Sequence, residues 1–390
     1  MKRRLFALAL ALLLAVSLPV SALARDWYID DGDITISATE IGQTVSQGNT
    51  TEADVAPVIK QRESSTSTDR VIKVIAEEDA TANVTLDGVK IDTSKTGMTG
   101  RDQAALRTEG DGDVNIELDG DNYLKSSFAS HAAGLNKGNS GTLTINDEDN
   151  NGKLEATGGY GGAGIGGGYD SSTSDITITG GTITARGSNS AAGIGGGNHG
   201  NGSNITISGG DVTAIGSVYA SGIGGELDGS NITISNGKVT AIGGDQGGAG
   251  IGGGFWASGS DITISGDAQV KSQGGTSNDY TGAGAGIGNG GTRDENEAGE
   301  KVLVDGVEVE PDTSGLTENG RLEYYAPGSV MTGTPSKTVT NPTGDHAWDS
   351  GRVTKPATCT EKGVKTYTCT RHSSHTKNEE IPALNHSFDG

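Results

Sequence analysis

Seven side chains in the glycine-rich middle of this 390-residue chain have the right character to grip a ligand: Tyr160, Tyr169, His199, Tyr219, Phe255, Trp256 and Tyr280. An aromatic ring offers an apolar face and a polar edge, which suits the C–H face of a sugar, while neighbouring Asn, Asp and Ser can bond hydroxyls. Tyr169, His199, Phe255 and Trp256 fall four or five residues after a recurring isoleucine, and Tyr160, Tyr219 and Tyr280 fall before it. That spacing predicts two loop positions, each presenting rings on successive structural units. The bland alternative is that these rings only cover loop backbone.

Acid–base chemistry finds less support. The polar residue opening one repeated segment reads Asp175, Asn204, Asn231, Asp261. Its two acids lie three units apart, about 14 Å at the spacing of neighbouring strands, whereas a glycosidase pair needs roughly 5–9.5 Å. Asp211 above Lys238 reads as an ordinary cross-strand ion pair. A threonine row, Thr144, Thr177, Thr206, Thr233 and Thr263, reads as strand preference and not as an ice-binding lattice, because Thr179, Ser208, Ser235 and Ser265 stand beside it. The stretch GGAGIGGGYD superficially matches a calcium nonapeptide, but Gly166 stands where that motif needs aspartate. No catalytic residue, resident metal or cofactor is expected.

The positioning elements follow from a repeat. AGIGGG at 163–168 returns at 192–197, as SGIGGE at 221–226, and as AGIGGG at 249–254. Its isoleucines, 165, 194, 223 and 251, are 29, 29 and 28 residues apart. Within a unit, Ile176 and Ile178 alternate with polar residues, as do Ile183 and Ala185, and Ala163-Gly-Ile165 supplies a third short segment. Alternation of period two is the mark of a strand with one buried face. Three strands and three corners in about 29 residues predict one coil of a parallel β-helix, right-handed by the usual twist of strands. The marker row extends over Val84, Val114, Leu143, Ile176, Ile205, Ile232 and Ile262, with Ile34 expected to start the stack and Val302 to end it.

Met1–Ala24 reads as a secretory signal peptide: Lys2-Arg3-Arg4, an apolar run, then Ala22-Leu-Ala24 as cleavage site. The formal net charge of −22 argues against nucleic acid and anionic lipid as partners, and no membrane association is expected once the leader is removed. Residues 25–325 form the β-helix in this reading, with residues 43–67 as a loop or N-terminal cap. Pro327, Pro335 and Pro342 make 326–343 a linker, and 344–390 a small separate module. There, Cys359 and Cys369 sit among His346, His372, His375 and His386. A Cys359–Cys369 disulfide is preferred, with a zinc site from Cys359, Cys369, His372 and one more histidine as the alternative.

The GGAGIGGG…SDITITGGTITARG units resemble the carbohydrate-binding-domain repeats of large secreted proteins from Gram-positive gut bacteria, and in shape a pectate-lyase-like β-helix, over roughly residues 80–310. The tail HAWDSGRVTKPATCTEKGVKTYTCTRHSSH resembles a short module of such surface proteins, departing at Cys369-Thr-Arg-His372 from the usual Cys-x-x-Cys. The resemblance implies an exported or cell-surface, non-catalytic protein whose partner is a glycan or a host or cell-surface polysaccharide. A polysaccharide lyase or glycoside hydrolase, and a passive stalk, are the other two readings.

Overall fold

The computed structural model describes residues 25–63, 65–96, 103–278, 280–293, 302–304, 307–309, 311–317, 319–340, 348–368 and 376–383. The expected leader lies outside them. Among the described residues there is no α-helix, and no helix long and apolar enough to cross a membrane. The chain divides into two compact units, residues 1–339 and 340–390.

The first unit is a parallel β-helix with three sheets. The first sheet is nine strands deep and parallel throughout, from Asp26–Tyr28 to Gly259–Ile264. The second, also of nine strands, runs from Lys90–Asp92 through Thr182–Arg186 to Arg321–Tyr325 and Lys337–Thr340. The third has eleven, the repeated ones being only two residues long: Ile165–Gly166, Ile194–Gly195, Ile223–Gly224, Ile251–Gly252 and Ile287–Gly288. Inward residues stack like on like. Ile176, Ile205, Ile232 and Ile262 are in register, and Ile183 continues as Val212, Val239 and Val270, while Ala185 continues as Ala214 and Ala241. All are buried, so the core is a set of aliphatic columns running between the sheets. Each column exists because each coil alone cannot cover its apolar face.

The recurring AGIGGG phrase has a steric cause. The glycine after each third-sheet isoleucine (Gly166, Gly195, Gly224, Gly252) has φ between 128° and 134°, and a Cβ there would strike the carbonyl oxygen of its counterpart one coil on. Only glycine satisfies both the backbone and the contact. The Asp175, Asn204, Asn231, Asp261 row is similarly explained: φ is 59°, 51°, 52° and 51°. Asn and Asp tolerate this left-handed conformation best among residues with a side chain. The row is a backbone device, further laced by Asn204 Nδ2 donating to Asp175 Oδ1 at 3.0 Å and Asn231 Nδ2 to Asn204 Oδ1 at 2.6 Å.

Four placements differ from the sequence reading. Ile34 does not open the marker row; it pairs with Ile72 in the third sheet, above Leu106, Leu135 and Ile165. Val84 lies one inward position along, opposite Ile116, and Ala82 holds the marker place opposite Val114. The Val84 slip keeps the buried face, because a shift of two residues returns a strand to the same side. Ile34 is buried too, but in a different sheet from the marker row. Val302 does not close the stack; it pairs antiparallel with Val309 in a separate hairpin. In the stretch read as a linker, Lys337–Thr340 lies beside Arg321–Tyr325 at the edge of the second sheet. The polar segment before residue 67 contains Gly42–Gln47 and Thr50–Ala53, which extend the third sheet antiparallel. Buried Gln43 ties them down: its Nε2 donates to the carbonyls of Asp54 (3.0 Å) and Asn83 (2.9 Å), and its Oε1 accepts from Asn83 N (2.8 Å).

The second unit holds a three-stranded antiparallel sheet, Arg352–Lys355, Gly363–Thr368 and Thr376–Ile381. Cys359 is exposed there, and Cys369, His346, His372, His375 and His386 lie outside the described residues.

Candidate functional site: an aromatic corner beside the two-residue strand

Because the third strand is two residues long, the loops before and after it return to each other. Their necks are tied by Ala163 N to Gly167 O (2.9 Å), Ala192 N to Gly196 O (3.0 Å) and Ala249 N to Gly253 O (3.0 Å). The two loop positions inferred from spacing therefore share one corner. Tyr160, before the strand, stacks on Tyr169, after it, with centroids 5.9 Å apart and planes 28° apart. Tyr169 also meets the His199 ring of the next coil at 5.6 Å, edge to face.

Two rings that the repeat did not flag complete this group. Phe128 stands edge-on to Tyr160 at 4.9 Å, and His131 packs against Tyr160 at 5.2 Å and Tyr169 at 5.4 Å. Phe128 is 63% exposed. Backbone bonds lock the coils together at this point: Tyr160 N donates to Phe128 O (3.2 Å) and Tyr169 N to His131 O (2.8 Å). A signal was present in the sequence: aligning Ala133-Gly134-Leu135 with Ala163-Gly164-Ile165 puts Phe128 and His131 in the loop that holds Tyr160.

At the polar end of the group, His199 Nδ1 lies 2.9 Å from Asp170 Oδ1. The backbone N–H of His199 donates to Glu226 Oε2 at 3.0 Å. Burial pushes the Glu226 carboxyl above its usual range, against the pull of that bond and of the imidazole. The side-chain Nδ1 of His131 is buried without a hydrogen-bond partner among the described residues.

The remaining candidates form a second group. Tyr219 and Phe255 pack at 5.5 Å, and Phe255 N donates to Tyr219 O. Trp256, 64% exposed, carries the Arg293 guanidinium 4.0 Å from its ring centroid. Tyr280 is 81% exposed and meets no other ring among the described residues. Between the groups the corner carries Glu226 and the exposed Leu227, so the ridge is interrupted. Half-burial of Tyr160 and Tyr169 shows that part of their area does cover glycine backbone, and a Cβ on Gly161 would collide with the Tyr169 ring.

A groove of about 520 Å³ lies apart from this corner, on the outer face of the first sheet, lined by Asn83, Asn115, Glu117, Thr144, Asn146 and Glu148 among others. Here the threonine row changes to Asn115 and Asn83, so no flat threonine lattice extends along the sheet. Glu117 accepts from Asn146 Nδ2 (2.8 Å) and Glu148 N (2.7 Å). Burial, aided by the charges of Glu148, Asp147 and Asp119, holds its carboxyl above the usual range in spite of the Glu148 N–H.

A repeat family described as Beta helix repeat matches residues 150–169, 176–198, 205–229 and 232–255. These segments span the coils that carry Tyr160, Tyr169, Tyr219 and Phe255. No curated protein and no solved structure matches the chain.

Proposed function

We propose that this β-helix is a non-catalytic binding protein for an extended glycan, acting outside the cell, with the aromatic corner as its contact surface. The observation that carries the proposal is the chain of touching rings from Phe128 through Tyr160, His131 and Tyr169 to His199, laid across successive coils with a partly exposed apolar face. Rings held by neighbouring backbone lose little freedom on binding, so their contact area becomes affinity. Asp170, His199 and Glu226 at the edge of the rings supply hydroxyl partners. The Tyr219, Phe255 and Trp256 group extends the same corner for a chain of several sugar units. Export rests on the leader-like residues 1–24.

The test is a glycan array read with the exported chain and two variants. Retention of an oligosaccharide is expected, reduced at least ~10-fold by Tyr169→Ala and by Trp256→Ala with folding intact, since neither ring occupies an inward column. Undiminished binding by the double variant would clear the corner of this role.

One observation favours glycoside hydrolysis as a second reading: Glu117 lies in a groove with its carboxyl held toward the protonated form, as a general acid requires. New reducing ends released by the native chain and abolished by Glu117→Gln would establish that reading in place of the first.

A further inference from the structure

Asparagine followed by glycine is prone to lose its side-chain amide, because glycine lets the next backbone nitrogen approach the Asn Cγ with no Cβ in the way. The chain holds five such pairs: Asn151-Gly152, Asn201-Gly202, Asn236-Gly237, Asn289-Gly290 and Asn319-Gly320. In four of them the fold ties the glycine N–H elsewhere. Gly152 N donates to Asp147 Oδ2 (3.1 Å), Gly202 N to Asp228 O (3.0 Å), Gly290 N to Ala257 O (3.0 Å) and Gly320 N to Thr317 O (3.2 Å). Three of those asparagines are also committed through their side chains. Asn151 Oδ1 accepts from Gly120 N (3.1 Å), Asn201 Oδ1 from Asp228 N (3.0 Å) and Asn289 Oδ1 from Gly259 N (3.0 Å).

Asn236-Gly237 is arranged differently. It forms the corner between Gly229–Ile234 of the first sheet and Lys238–Ile242 of the second, and Asn236 is exposed. Here Gly237 N donates to Oδ1 of Asn236 itself, at 2.8 Å. Cγ is one bond from that oxygen, so the nitrogen and the carbon that must join are already neighbours. Turning the exposed amide about the Cβ–Cγ bond presents its face to the nitrogen and leaves Cγ where it is. The fold dictates the glycine of this pair: Gly237 has φ of 80°, and a Cβ there would lie 2.6 Å from Gly210 O. The asparagine is not dictated, since the register of Thr182, Asp211 and Lys238 puts Gly180 and Gly209 in its place on the two preceding coils.

We propose that Asn236 is a site of spontaneous deamidation through a cyclic imide, selected from the five pairs by the fold. Gly237 N bonds to Asn236 Cγ, and the side-chain amide leaves as ammonia, taking the proton that Gly237 N gives up. Water then opens the ring. Cutting the new C–N bond gives aspartate at 236; cutting the original backbone C–N bond gives isoaspartate, with one extra carbon in the main chain. This corner has no room for that carbon. Ser235 N donates to Ile207 O, Lys238 N to Gly210 O and Gln269 N to Gly237 O, each at 2.9 Å, so both neighbouring coils hold it at a fixed length. Isoaspartate therefore loosens the stack here, on a corner that carries none of the candidate rings.

The experiment ages the full folded chain in mildly alkaline buffer and maps its peptides with aspartyl and isoaspartyl forms separated. Conversion at Asn236 is expected at least ~10-fold faster than at any of the other four pairs, the advantage of a held near-attack geometry. In urea, with the fold removed, the five rates should converge. Asn236→Gly restores the glycine pair of the preceding coils and should abolish the product. Hydrogen exchange should quicken at Lys238 and Gln269 in the aged native chain and stay unchanged in the aged variant. An Asn236 that keeps its amide, or equal rates at all five pairs in the folded chain, overturns the proposal. A lead for Asn236 that persists in urea would place its cause in the local sequence and overturn selection by the fold. Exchange that quickens equally in the aged Asn236→Gly variant overturns the loosening.

Discussion

Asp119 shows how single residues in this fold are tuned by their neighbours one coil away. It lies opposite Asp87 in register, with Asp147 and Asp149 nearby, and burial together with Asp149, Asp87 and Asp147 holds its carboxyl above the usual range. The folded chain thus binds this proton more readily than the unfolded one, so its cost appears as pH rises above the ordinary carboxylate range and is absent in acid. Asp119→Asn is expected to raise thermal stability at pH 7, on the order of a few tenths of a kcal/mol for directly opposed like charges, and to have no effect at pH 3. A gain that persists at pH 3 would assign the effect to something other than charge. The candidate binding residues are legible at this scale to different degrees. Tyr169, Phe255 and Trp256 could be placed because each follows a repeated isoleucine at a constant distance. Phe128 and His131 were hidden by a degenerate repeat, Leu135 replacing isoleucine, and Arg293 by its position beyond the last copy of the phrase. No spacing announces a contact between residues some 37 positions apart.

The strand, as an element, was legible because period-two alternation directly encodes which side chains are buried. Ile176, Ile205, Ile232 and Ile262 were identified as one column by their setting, and the register confirms it. Where the register slipped, at Val84, the buried face was correct and only the partner was wrong, since alternation fixes the face and leaves the register to the length of the corner. At Ile34 alternation again marked a buried residue but could not say which sheet it joins. Ile205→Asp places a charge between two buried isoleucines and should cost about 3–5 kcal/mol or more by chemical denaturation, whereas Thr206→Asp on the outer face should cost less than about 1 kcal/mol. Equal losses would mean that the two faces are exchanged. The two-residue third strand was underestimated as an element. The spacing placed Tyr160 and Tyr169 at two loop positions on either side of it; being so short, it lets the loops meet and joins both rings into one surface.

At the scale of the whole molecule the repeat dictates both the fold and the shape of the surface offered to a ligand. Coils stacked in register repeat any corner position along the axis, so rings that differ in chemistry line up at one edge without needing a pocket. This is why the candidate site is a ridge, a shape that would suit a long ligand better than a small one. The ends of the stack were the least legible part, because capping segments follow no period: Gly42–Gln47 and Thr50–Ala53 turn antiparallel, and buried Gln43 satisfies the backbone there. The central claim is that the corner holds a glycan through its rings and leaves it intact, and saturation-transfer NMR on the full chain with an oligosaccharide taken from the array tests both halves at once. The account predicts strongest transfer to sugar C–H protons, loss of that transfer in the Tyr169→Ala, Trp256→Ala double variant, and a ligand spectrum unchanged over a day of incubation. New anomeric signals from cleaved product, or transfer undiminished in the double variant, would contradict it.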